Sequence, residues 1–322
     1  MKPLRECHVL VTPTSFTKAD PALQARLEQT VSRVTYNTTG KPLSSEALAA
    51  MLPGVDGYIA GLDVIDAHAL AAADSLQVIA RYGVGVSNVD LDAARARGMI
   101  VTNTPGANSK SVAELTIALM LDVLRGVLIA AQDTRQGGWM RTSGLSLEGK
   151  TVGLIGLGAI GREVVRRLQG FDCTIIASDV AWDAAFVERH GIRMLPLEEL
   201  LPLADVVSLH VPVLASTQGM VNASFLAQMK QGSILINTAR GELVDETALL
   251  QALQSGHVRG VALDAFQTEP PGAGNPLLAL PQVIATPHMG AHTDGATYAM
   301  GSMAVEECLA VLAGAAPRWR VV

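Results

Sequence analysis

The sequence predicts an α/β protein of two doubly wound parallel-sheet domains, one inserted into the other. The chain has 322 residues, more than a single hydrophobic core usually serves. Short β-branched runs alternate with Ala- and Leu-rich stretches from end to end, the pattern of parallel strands joined by crossover helices. These runs fall into two series separated by one long helical stretch.

The first series comprises His8–Thr12, Arg33–Tyr36, Tyr58–Ala60, Val78–Arg81 and Ile100–Thr102. Residues Ser109–Gln132, rich in Ala, Leu and Met, then read as a single long helix. The second series comprises Thr151–Ile155, Thr174–Ser178, Val206–His210, Ser233–Asn237, Val258–Leu263 and Gln282–Ala285. The turn signal Asn103-Thr104-Pro105-Gly106 marks the first crossing between domains, and a second is expected near Pro287–Asp294. The tail Gly295–Val322 reads as one helix and a short end, too little to fold alone, so it is expected to rejoin the first domain. The expected division is therefore 1–103 with 291–322 in one domain and 104–290 in the other.

Bulk properties narrow the function. With 49% hydrophobic and 17% charged residues the chain is that of a packed globular enzyme. Acidic residues number 30 against 24 basic, and no Lys/Arg run can follow a phosphate backbone, so no nucleic-acid partner is expected. Cys7, Cys173 and Cys308 are isolated, odd in number and form no CxxC pair, which argues against a zinc site or disulfide framework and suits a reducing, cytoplasmic setting. Met1–Leu10 is interrupted by Pro3, Glu6 and His8, so no export signal is expected. Asp122 and Arg125 interrupt Leu115–Ala131, which therefore falls short of the ~18 uncharged residues of a membrane span.

The most specific motif is Gly156-Leu157-Gly158-Ala159-Ile160-Gly161, directly after the apolar strand Thr151–Ile155 and opening a helix. In this context the glycines supply a tight turn, close backbone approach to a pyrophosphate and close helix–strand packing. Asp179 ends the next strand, roughly 20 residues on, where an acid accepts hydrogen bonds from ribose hydroxyls and repels a 2′-phosphate. No Lys or Arg follows in Val180–Asp183, so the expected cofactor is NAD rather than NADP. This makes the second domain a Rossmann domain inserted into a flavodoxin-like one.

Dehydrogenation of an alcohol also needs a base for the hydroxyl proton and a cation for a substrate carboxylate. Arg240 follows the strand Ser233–Asn237, at a carboxyl end where α/β ligands collect, and its planar fork matches a carboxylate. His288 lies in Thr286-Pro287-His288-Met289-Gly290, past another strand end, and histidine suits proton exchange near neutrality. Glu269 follows the strand ending at Leu263 and is placed to hydrogen-bond the far nitrogen of His288. Taken singly, Arg240 also reads as a surface ion pair, His288 as a loop histidine and Glu269 as a solvated acid. Their succession along one dinucleotide domain favours the catalytic reading.

These segments, with Asn237–Asp245, Gly260–Phe266, Arg81–Asp90 and Asn103-Thr104-Pro105, resemble the D-isomer-specific 2-hydroxyacid dehydrogenases over nearly the whole chain. The resemblance is strongest to the short D-3-phosphoglycerate dehydrogenases that lack a regulatory domain. It implies that His288 is the acid/base, Glu269 its partner and Arg240 the substrate anchor. It further implies NAD contacts from Ala159, Ile160, Val211, Pro212, Thr238, Ala239, Asp264 and Gly290, with Asp264 facing the nicotinamide carboxamide. Backbone N–H groups of Val84 and Gly85 are implied to meet the substrate carboxylate. Members usually dimerise through the dinucleotide domain; the apolar Leu115–Ala131 helix either contributes to such an interface or is buried within one chain.

There are departures from the family pattern. Gly61 and Leu62 stand where the phosphoglycerate enzymes usually carry Arg-Ser, and Asp63 follows, which disfavours a dianionic substrate end unless Arg135 or Arg141 compensates. Ser87 stands where Asp is common. The alternatives are glyoxylate, hydroxypyruvate, sulfolactate or another 2-hydroxy acid as substrate and, from another class, an NAD-sensing binding protein or corepressor. No tyrosine begins a Tyr-x-x-x-Lys pair, so a short-chain dehydrogenase is not expected. No metal pattern is present.

Overall fold

A computed structural model describes residues 2–16 and 21–322. The chain forms two compact units, Met1–Asn108 with His292–Val322, and Ser109–Ala291. The division falls at the start of the long helix rather than at the Asn103–Gly106 turn. That turn stays tied to the first unit, where the Thr104 N–H donates to the Gly83 carbonyl at 3.1 Å.

In the first unit, β1 (His8–Val11), β2 (Arg33–Tyr36), β3 (Gly57–Ala60), β4 (Val78–Arg81) and β5 (Ile100–Thr102) form a five-stranded sheet in the order β2-β1-β3-β4-β5. Every neighbouring pair is parallel. This is the flavodoxin-like strand order. β3 and β4 are buried along their whole length, which explains their continuous apolar reading. Ser44, Asp66 and Asp90 cap the helices that follow them, each accepting a hydrogen bond from a backbone N–H three residues on. The tail packs on this unit: after the helix Asp294–Leu312, Arg320 bridges Thr102 in antiparallel fashion and the Val321 N–H donates to the Val101 carbonyl. Buried Glu307 fixes the return by accepting from the N–H groups of Arg318 and Trp319.

The second unit contains β6 (Thr151–Ile155), β7 (Thr174–Ser178), β8 (Arg193–Met194), β9 (Val206–Leu209), β10 (Ser233–Asn237), β11 (Val258–Leu263) and β12 (Val283–Ala285). Their order is β12-β11-β10-β9-β6-β7-β8, all parallel. Renumbered from β6, this is the doubly wound dinucleotide-binding order with one strand added. Alternate residues enter opposite cores: Ile234 and Ile236 pack with the helices Ser109–Arg125 and Ala159–Leu168, while Leu235 packs with Ala223–Gln228 and Glu246–Gln254.

Two expectations need correction. The stretch Ser109–Gln132 is two helices, Ser109–Arg125 and Val127–Arg135. Gly126 adopts φ 62°, and the Asp122 side chain caps the second helix by accepting from the Leu128 N–H at 2.8 Å. The other concerns Asp63, which is fully buried rather than presented to a ligand. Leu62-Asp63-Val64-Ile65 alternates outward and inward, and the inward Asp63 carboxyl accepts from Tyr58 Oη at 2.7 Å, the Leu43 N–H at 2.7 Å and Thr12 Oγ1. It joins β1, β3 and the loop before the helix Ser45–Met51. Replacing Asp63 by Ala strands these buried donors, and we expect a loss of about 3 kcal/mol in urea unfolding with an unchanged m value. A loss under ~0.5 kcal/mol would show that the donors find other partners.

Candidate active site

β6 leads into the glycine turn at Gly156, which takes φ 100°. A β-carbon there would stand 2.7 Å from the His210 carbonyl carbon and 2.9 Å from the Val211 nitrogen, both just past β9. A β-carbon at Gly161 would overlap the Gly156 carbonyl oxygen, whereas one at Gly158 would meet open space. Two glycines are thus required by packing and the third leaves an accessible surface. The helix Ala159–Leu168 begins there without a side-chain cap, so its first N–H groups and the positive end of its dipole are available to an anion. Ala159 is exposed and Ile160 half-buried at this first turn.

Asp179, just past β7, is fixed beside the turn. One carboxylate oxygen accepts from the Leu157 N–H at 2.6 Å and the other from the Ala181 N–H at 3.2 Å. A carboxylate has about four acceptor positions, so room remains for ribose hydroxyls. Nearby Arg162 is engaged by the Leu157 carbonyl, Asp183 and the face of Phe186. This uncapped helix start, glycine cradle and fixed acid fit NAD.

Sequence reasoning missed His210, immediately past β9. Burial pushes its pKa down to about 4, so the ring is neutral and pairs through Nε2 with Ser208 Oγ at 2.9 Å. Its backbone forms the wall against Gly156. The available signal was a polar residue at a strand's carboxyl end, the same one that singled out His288. Val211 and Pro212 continue from it, half-buried and exposed respectively.

Glu269 and His288 come together. Nδ1 of His288 lies 2.8 Å and 3.0 Å from the two Glu269 oxygens, one of which also accepts from the Phe266 N–H at 3.1 Å. Burial pushes the Glu269 pKa up, but its bond to His288, with that N–H and the Arg240 charge, outweighs this and holds it below the ordinary value. Glu269 is therefore a carboxylate at neutral pH. Arg240 belongs to the turn after β10, where Asn237 Nδ2 donates to its carbonyl at 2.8 Å. Gly241 brings that turn directly against the Phe266–Gln267 backbone, where a β-carbon would overlap it. Thr238 is buried and bonds Thr116 at 2.8 Å, Ala239 is half-buried beside it, and Asp264 and Gly290 are buried at the turn carrying His288.

Val84 and Gly85 belong to the first unit. The Val84 carbonyl accepts from Asn103 Nδ2 at 2.8 Å and the Gly85 carbonyl from Arg81 Nε at 3.1 Å. Arg135 and Arg141 are exposed. Among the described residues no group of three or more His, Cys, Asp or Glu is placed to hold a metal ion, and no helix is long and apolar enough to cross a membrane. The cysteines are free; burial raises all three thiols, Cys308 up to about 12.

Comparison with known proteins matches residues 117–290 to the NAD binding domain of D-isomer specific 2-hydroxyacid dehydrogenases. The chain is 42% identical over 272 residues to the D-3-phosphoglycerate dehydrogenase of Mycobacterium bovis, covering 84% of this chain and 51% of the relative. It thus spans about half the length of the curated relatives it matches. The structure of the TT0316 protein from Thermus thermophilus superposes with a TM-score of 0.88 at 40% identity, covering 98% of this chain and all of that one. An NADPH-dependent glyoxylate/hydroxypyruvate reductase from Sinorhizobium meliloti gives 0.83 at 32%, covering 98% and 97%. The chain belongs to the D-isomer specific 2-hydroxyacid dehydrogenase family and carries its NAD-binding domain.

Replacing Gly161 by Ala must push the helix away from the Gly156 carbonyl. We expect titration of NADH fluorescence to show at least a tenfold rise in Kd; unchanged binding would show that the cradle tolerates that shift.

Proposed function

We propose that this protein is an NAD-dependent dehydrogenase interconverting a small D-2-hydroxy acid and its 2-oxo acid. The observation that carries the reading is the Glu269–His288 pair, held on the same unit as the glycine cradle and within the field of Arg240. Bound NAD supplies the hydride acceptor for C2. His288 has Nδ1 committed to Glu269, which leaves Nε2 to take the substrate hydroxyl proton; Glu269 stabilises the resulting imidazolium, and the same proton returns to the oxygen in reduction. Arg240 grips the substrate carboxylate.

Asp179 supports NAD as the partner nucleotide. The relatives named D-3-phosphoglycerate dehydrogenase favour a phosphoglycerate-like acid. A second reading, reduction of hydroxypyruvate or glyoxylate, is favoured by Gly61 and Leu62, which offer no charged side chain for a phosphate. With Asp63 buried and hydrogen-bonded, it is the missing cation rather than an added acid that argues against a dianion. The intact Arg240, Glu269 and His288 set favours turnover over NAD sensing alone. Three free cysteines agree with the cytoplasm.

The direct test is NADH oxidation across 2-oxo acids with and without a phosphate group. The best substrate should lose roughly 10²–10⁴-fold in kcat with His288→Ala while NADH binding persists; near-normal turnover in that variant would refute the assignment.

We also propose a homodimer through the second unit. Helix Val127–Arg135 has no buried residue, and Val127, Leu128, Trp139 and Met140 are exposed, Trp139 by 78%. Sedimentation at micromolar concentration should show a dimer that Trp139→Glu weakens. A monomeric wild type would contradict this.

A further inference from the structure

The turn that presents His288 is held by a buried carboxylate. Asp264, just past β11 and only 2% exposed, accepts three hydrogen bonds, all from that turn. Thr286 Oγ1 at 2.6 Å and the Met289 N–H at 2.9 Å reach Oδ1, and the Gly290 N–H at 2.9 Å reaches Oδ2. Buried Ser111, on the helix Ser109–Arg125, donates to the Gly290 carbonyl at 2.6 Å. Between these points His288 adopts φ 51°, a left-handed conformation that a residue bearing a β-carbon keeps only when its surroundings enforce it.

We propose that Asp264 and Thr286 are positioning residues for His288, clamping its turn so that the imidazole meets Glu269 with the opposite nitrogen free. The inference rests on His288 being the acid/base. It extends the cofactor role that family resemblance gives Asp264: of about four acceptor positions on a carboxylate, three are spent on the turn and one remains for an amide donor such as the nicotinamide carboxamide. Asp264 thereby couples the seat of the cofactor ring to the aim of the histidine.

Asn at position 264 has one acceptor oxygen and an NH2 group, while donors approach both sites, so in either orientation an N–H faces a donor. Val at 286 keeps the shape of threonine and removes only the hydroxyl. Displacement of a reacting group by ~1 Å costs about 100-fold in rate, which sets the scale for Asp264→Asn; Thr286→Val, losing one bond of three, should cost about tenfold. The experiment measures kcat, the KM for NADH and the NADH Kd by fluorescence, using the best 2-oxo acid from the panel.

Thr286→Val is expected to lower kcat about tenfold with NADH KM and Kd within twofold of wild type, and Thr286→Ser to restore kcat. Asp264→Asn is expected to lower kcat about 100-fold beyond any change in Kd. If Asp264→Asn only weakens NADH binding and Thr286→Val matches wild type, Asp264 is a cofactor contact alone and the inference is overturned. Should Asp264→Asn not fold, the Thr286 pair decides. An active His288→Ala would overturn the acid/base reading and this inference with it. An inactive His288→Ala beside a fully active Thr286→Val would leave the former and remove the latter.

Discussion

A parallel sheet buried on both faces has no room for chemistry along its length. In the second unit Ile234, Leu235 and Ile236 of β10 alternate between two apolar cores, and an unpaired polar group placed there would cost ~1–3 kcal/mol. Polar side chains therefore gather where the strands end. Asp179 follows β7, His210 follows β9, Arg240 follows β10, Asp264 follows β11 and His288 follows β12. The order β12-β11-β10-β9-β6-β7-β8 sets these residues in a row on either side of the glycine turn. The dinucleotide cradle and the proposed acid/base are consequences of one constraint.

Close packing then fixes the row. Gly156 lets its turn abut the backbone at His210, and Gly241 lets the Arg240 turn abut Phe266, whose N–H holds Glu269. Glycine acts at both places by omission, since the absent β-carbon is what allows two strand-end loops to touch. The resulting electrostatics are local: Glu269 remains a carboxylate despite partial burial because the His288 ring, a backbone N–H and the Arg240 charge all favour that form. Charge, geometry and backbone approach are tied together in a few residues of each turn.

Much of this was legible in the sequence because it repeats along the chain. β-Branched runs marked every strand of the first sheet, and a glycine spacing followed by Asp179 marked the nucleotide half of the site. Strand β8, Arg193–Met194, is too short to carry a periodic signal. Gly126 looks like a tolerated helix residue until its left-handed backbone is seen. Asp63 read as a charge facing a ligand, yet a one-residue phase in an extended segment turned it into the core. The partners of Asp264 lie 22 to 26 residues away and reach it through two loops, a relation no local pattern encodes. In each case the deciding fact is a backbone conformation or a nonlocal hydrogen bond.

The central claim is that the strand-end row performs hydride exchange at C2 of a D-2-hydroxy acid. The most direct measurement follows the label from NADH carrying deuterium at both C4 positions during reduction of the preferred 2-oxo acid, with mass and chiral analysis of the product. The account predicts one deuterium at C2 of a product of purely D configuration. Binding of the labelled cofactor without deuterium in any product, or a racemic product, would contradict it.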